Sequence, residues 1–127
     1  MVAYSFHKRF ADDVEALIKR QTIRGQRKRH ARIGENVQLY HGMRTRQCRK
    51  LVTPDPICIA VEALRLKVPT KLEPCVIFQR GEFGNVTDAF AKDDGFAGVE
   101  DFTRFWFDTH GPGDFYGVLI KWKPANG

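Results

Sequence analysis

Phe10-Ala11-Asp12-Asp13-Val14-Glu15-Ala16-Leu17-Ile18-Lys19-Arg20-Gln21-Thr22-Ile23-Arg24 carries an apolar period in its first half and a polar constellation in its second. Phe10, Val14, Leu17 and Ile18 follow the i, i+4, i+7, i+8 spacing of an amphipathic helix. Asp12, Asp13 and Glu15 stand near its start and Lys19 and Arg20 at its end, the order that the helix dipole favours. Lys19 and Thr22 are three residues apart, so a persisting last turn puts them on one face. An amine so placed can take the proton of a hydroxyl that is otherwise too weak a nucleophile. The same residues equally suit binding of a phosphate or a base edge without reaction.

Outward from this stretch, Val2 to Phe6 alternates as a first strand, and Gly25 to Gly34 is polar, basic and aperiodic, as expected of an exposed loop. Val37 to Tyr40, Arg49 to Val52, Ile57 to Leu66 and Cys75 to Gln79 read as further strands, broken by the Thr53-Pro54-Asp55-Pro56 stop. Val86 to Asp94 reads as a short helix closed by Gly95. Val99, Phe102, Phe105 and Trp106 mark an amphipathic helix closed by Gly111-Pro112, its aromatic rings spaced for a core. Phe115 to Trp122 is a last strand. Five or six strands with interleaved helices and no βαβ repetition imply an α+β fold, a small mixed and mainly antiparallel β-barrel. Tyr40 and the last strand are expected in one antiparallel sheet, with Tyr40 and Trp122 as the rings able to stack on a base.

At 127 residues and 43% hydrophobic content, a single domain over 1–127 is expected. The longest uncharged apolar stretch, Ile57 to Val61, is far below the roughly 20 residues that span a bilayer. Cys48, Cys58 and Cys75 are odd in number and lack a CxxC pair, which suits reduced cytoplasmic thiols. His7, His30, His41 and His110 have no metal-ligand spacing, so neither metal nor cofactor is expected. Residues 1–50 hold thirteen Lys or Arg against four acids, a net of +9, which leaves −3 for the remainder of a +6 chain. That asymmetry would draw a polyanion to one part of the surface. Arg24, Arg27, Lys28, Arg29 and Arg44 are its candidate contacts, and the bland alternative for the run from Arg24 to Arg32 is a solvated loop.

The opening stretch resembles that of ASCH domains, whose signature Gly-x-Lys-x-x-Thr-x-Arg ends the first helix. Lys19, Thr22 and Arg24 match its last three fixed positions, and Leu17 replaces the glycine. Further similarity lies in Arg32 to Gly42, Phe90 to Phe96 and Phe115 to Trp122, in the manner of variants common in phages and prophages. The resemblance implies a PUA-like barrel with a cleft for RNA or a modified nucleoside. It also implies an amidohydrolase on N4-acetylcytidine-like nucleosides, with Lys19, Thr22 and Asp94 as the catalytic set and Asp94 where such members carry glutamate. Arg20, Arg24 and Tyr40 would then contact RNA or substrate. A binding module without catalysis and a metal-independent ribonuclease are the alternatives. Asp94 itself, in the last turn before Gly95, would meet the partial negative charge of a helix end, which disfavours its ionised form and suits proton transfer near neutrality. Otherwise it is an exposed turn residue.

Overall fold

The computed structural model describes residues 2–71 and 73–126. In chain order the elements are β1 (Val2–Phe6), α1 (Lys8–Glu15), β2 (Gln21–Gly25), β3 (Val37–His41), β4 (Arg49–Lys50), β5 (Ile57–Val68), β6 (Val76–Gln79), β7 (Glu82–Asn85), α2 (Asp88–Asp93), α3 (Val99–Thr109) and β8 (Gly113–Lys123). The architecture is mixed α+β: a three-stranded sheet ordered β1-β3-β4 and a five-stranded one ordered β2-β8-β5-β6-β7, with three short helices. The chain divides into two compact units, one of Met1–Thr22, Arg27–Val61 and Ile120–Gly127, the other of Ile23–Gln26 and Glu62–Leu119. Strands β2, β5 and β8 each run from one unit into the other.

In the first unit, Val2, Tyr4 and Phe6 are buried and alternate with half-buried Ala3 and Ser5, so β1 presents one full face to the core. It pairs in parallel with β3, Val2 opposite Val37, Tyr4 opposite Leu39 and Ser5 opposite Tyr40. A parallel pair needs a crossover of a dozen or more residues, and the chain between Phe6 and Val37 supplies it. β4 adds antiparallel, Tyr40 opposite Lys50. Ahead of β3 the backbone pairs with the start of β5, Val37 N–H donating to Pro56 O (2.9 Å) and Cys58 N–H to Glu35 O (2.8 Å). Tyr40 and Phe115 to Trp122 therefore lie in different sheets, against expectation, because β3 takes β1 as its partner. Trp122 is 1% exposed, edge-on to Phe6 at 5.9 Å, and belongs to the core instead of offering a ring for stacking.

In the second unit Leu64, Leu66 and Val68 are buried while Ala63 and Lys67 are exposed, a strand with one dry and one wet face. β5, β6 and β7 form an antiparallel meander. The short β7 escapes sequence reading because Phe83 is its one large apolar residue and no alternation is visible. Phe102 is fully buried between Phe96 (5.1 Å) and Phe90 (6.0 Å), and Trp106 is buried as its helical spacing predicts. Thr87 caps α2 by accepting from Phe90 N–H, and Asp88 accepts from Val99 N–H (2.9 Å) at the start of α3.

All three cysteines are free; Cys48 is exposed, and Cys58 and Cys75 are buried. Burial pushes both buried thiols above the ordinary range, opposed only in part by hydrogen bonding to Ala60 and Thr103 respectively. Thiolate is the reactive form, so a disulfide reagent such as DTNB at pH 8 should titrate one fast thiol in the native protein and three in urea. Loss of the fast phase in Cys48→Ser identifies it.

Candidate functional site

The helix that carries the opening motif ends earlier than its periodicity suggests. α1 stops at Glu15, with Ala16 as its cap and Leu17 in the left-handed region at φ 60°. Ile18 N–H donates to Asp13 O (2.9 Å) and Leu17 N–H to Val14 O (3.0 Å), the paired bonds of a Schellman motif. Lys19 N–H also reaches Asp13 O (3.0 Å). The acids thus sit in the middle and end of the helix, Ile18 is exposed, and no basic residue occupies the last turn. Lys19 lies in the link after the helix and Thr22 on β2, so the shared helical face that the spacing suggested does not exist.

The side chains at these positions are nevertheless unusual. Lys19 is 3% exposed and Thr22 5%. The ammonium of Lys19 lies 5.0 Å from the ring centroid of Phe10 and 5.9 Å from that of Phe6. Such contacts contribute about 0.5–2 kcal/mol each, against a desolvation cost of several kcal/mol for a buried ion. Lysine is almost never this deeply buried unless it is paired. Arg20 instead remains exposed, its Nε donating to Leu17 O (2.7 Å) across the turn.

Asp94 belongs to the other unit and caps α2. Gly95 follows at φ 94°, with Phe96 N–H donating to Ala91 O (2.9 Å) and Gly95 N–H to Lys92 O (3.0 Å), a second Schellman motif. Asp94 as a residue is 4% exposed, so the reading of it as a solvated turn residue does not hold. Lys19, Gln21, Thr22, Asp94 and Thr103 are the buried polar residues of the described chain, and three of them are the catalytic candidates.

The basic segment is strapped to β1 rather than extended into solvent. Tyr4, 1% exposed, pairs its hydroxyl with His30 Nδ1 (3.0 Å) and accepts from Ala31 N–H (3.1 Å), while its ring stacks on His30. Arg27 lies over the same ring at 5.2 Å and donates to Ala3 O (3.3 Å). Glu35 binds the Arg29 side chain and accepts from Arg32 N–H (3.1 Å); the first of these, then the second, holds its carboxyl below the usual carboxylate range. Arg27, Lys28, Arg29 and Arg32 consequently line one cavity of about 470 Å³, together with Val2. Arg32 was not among the contacts singled out from the sequence, although it sits in the same basic run. Arg44 lies in the turn after β3 at φ 66° and does not line this cavity. Tyr40 is half-buried on β3, and Arg24 half-buried on the part of β2 that belongs to the second unit.

Among the described residues no three His, Cys, Asp or Glu side chains gather as a metal site would require, and no helix is long and apolar enough to cross a membrane. Comparison of the chain with family models, with curated proteins and with solved structures found no match in any of the three.

The left-handed conformation at Leu17 costs a residue with a β-carbon about 1–2 kcal/mol, and glycine almost nothing. Leu17→Gly should therefore be more stable than Leu17→Ala by about 1 kcal/mol in urea denaturation, the reverse of the order at an ordinary helical position. Equal stability of the two would show that the position is not left-handed.

Proposed function

We propose that this chain is an RNA-directed domain of the ASCH kind, with the PUA-like barrel that this kinship implies, working in a reducing cytoplasm suited to its three free thiols. The observation that carries the reading is the cavity formed by Arg27, Lys28, Arg29 and Arg32 on a segment pinned by Tyr4. Four cations with Glu35 among them leave a local excess of +3, and their backbone is already ordered on β1. Such an array suits consecutive phosphates and holds down the entropy lost on binding. Leu17 supports the kinship, since the signature has glycine where this chain adopts a left-handed conformation.

A nucleoside amidohydrolase is the second reading, favoured by the burial of Lys19, Thr22 and Asp94. On it, Lys19 as the neutral amine takes the proton of the Thr22 hydroxyl as that oxygen attacks the amide carbon, the proton passes to the leaving amine as the C–N bond breaks, and water then releases acetate from Thr22. Asp94 is the carboxylate that the resemblance assigns to the proton transfer. Aspartate is one methylene shorter than the glutamate of the resembling enzymes, so Asp94→Glu is the informative variant.

Fluorescence anisotropy with a labelled single-stranded RNA should give an affinity that falls steeply with salt. Combined replacement of Arg27, Lys28 and Arg29 by alanine should flatten the slope by about 0.7 per lost phosphate contact; an unchanged slope would show that these residues do not contact phosphate and overturn the reading. Incubation with N4-acetylcytidine, followed by product mass, tests the second reading. The absence of deacetylation by the wild type and by Asp94→Glu alike would eliminate it.

A further inference from the structure

One face of the β5-β6-β7 meander carries a ladder of flat groups, half-buried at Arg65 and Phe78 and exposed at Phe83. Arg65 stands opposite Phe78, and Phe78 opposite Phe83, so the three form one cross-strand row. The Arg65 guanidinium lies 3.8 Å from the Phe78 ring centroid, and Phe78 stacks on Phe83 at 5.6 Å with 25° between the ring planes. Phe83 is 76% exposed, and Tyr116 of β8, 60% exposed, lines the same cavity of about 420 Å³. Leu64 and Leu66 already fill the core face of β5, so these rings are not needed to close the second unit's interior. Exposed aromatic surface gathered in one concave place is a mark of a binding site.

Polar groups around the rings narrow the occupant. Arg65 is held by Asp114 (3.4 Å), and Glu62 binds both Gln79 and Arg80. Arg80 and Gly81 form the two-residue connection of the β6–β7 hairpin, both with positive φ (54° and 77°). Asparagine, aspartate or glycine is the unstrained choice at the first position of such a turn. An arginine there places a cation, with 74% of its side chain exposed, at the edge of the rings. A wholly apolar segment would desolvate these ion pairs and offer no partner to the N–H groups of Arg65, Gln79 and Arg80 that Asp114 and Glu62 do not take up. An unpaired nucleotide suits them: the face of its base stacks on the rings, the base edge meets amide and guanidinium donors, and its phosphate meets Arg80.

We infer that this face is a stacking platform for the bases of single-stranded RNA, a second contact that reads ring faces. The inference rests on the RNA-directed reading above, but uses residues separate from the basic cavity. It predicts that the protein binds a base-bearing oligoribonucleotide about tenfold more tightly than an abasic oligomer of equal length. That preference should vanish in Phe83→Ser and Tyr116→Ser while the salt slope stays as in the wild type. Both side chains are largely exposed, so the fold should survive their replacement. Glu82→Gln, which removes the one acid of the cavity lining, should tighten the base-bearing oligomer. Adenosine alone, titrated by NMR, should shift the ring protons of Phe83 and Tyr116, which tests the platform without any phosphate.

The two readings fail separately. Salt-dependent binding with equal affinity for base-bearing and abasic oligomers overturns the platform and leaves the RNA-directed reading standing. Adenosine shifts without salt-dependent binding of either oligomer overturn that reading and keep the platform. The absence of adenosine shifts at Phe83 and Tyr116 overturns the platform whatever the oligomers do. Ring shifts that grow with protein concentration alone, and are abolished by Phe83→Ser, assign the face to a second copy of the chain and overturn it too.

Discussion

Tyr4 joins the core of the first unit to its charged surface. Its ring is buried in the parallel pairing of β1 with β3, and its hydroxyl meets both His30 and the backbone of Ala31. A buried hydroxyl without a partner costs about 1–3 kcal/mol, so the core gains by holding the basic segment in place. The segment in turn gains a fixed backbone from which Arg27, Lys28, Arg29 and Arg32 converge. Like charges crowd against mutual repulsion, and Glu35 offsets part of it by binding the Arg29 side chain and the Arg32 amide. The arrangement couples packing to electrostatics through one side chain.

Two helix ends repeat a different device. α1 and α2 both close with Schellman bonds, and in each case a buried polar residue sits at or just beyond the stop: Lys19 after the first, Asp94 on the second. The left-handed residue ends the helix and redirects the chain, so that Lys19 two residues after Leu17 and Phe96 directly after Gly95 are buried. At Gly95 this costs little, because glycine adopts a positive φ freely. At Leu17 the same turn is made by a residue that disfavours it.

Most elements were legible because their patterns are local. β1 runs from Val2 to Phe6 as its alternation implies, and α3, β5 and β8 lie where apolar periods and Gly or Pro stops put them. α2 ends at Asp93, with Asp94 as its cap and Gly95 beyond it, as the Asp-Asp-Gly sequence suggests. The early end of α1 was hidden because Leu17 and Ile18 continue the apolar period, although one is strained and the other exposed. Strand β7 was hidden because pairing with β6, rather than any period of its own, makes it a strand. Trp122 resembled a surface ring only until β8 was seen to carry it into the core against Phe6.

By itself the sequence determined the α+β composition, the order of most elements apart from β2 and β7, the basic first half and the spacing of Lys19, Thr22 and Arg24, since each depends on residue type and spacing along the chain. Tertiary structure alone decided which strands pair, and in which direction, because register is a contest between distant faces. It also decided that Arg27 to Arg32 is a strap and not a free loop, since the Tyr4 hydroxyl that holds it lies more than twenty residues away in sequence. The ladder of Arg65, Phe78 and Phe83 likewise exists only across strands. No spacing along the chain encodes a row that three hydrogen-bonded neighbours create.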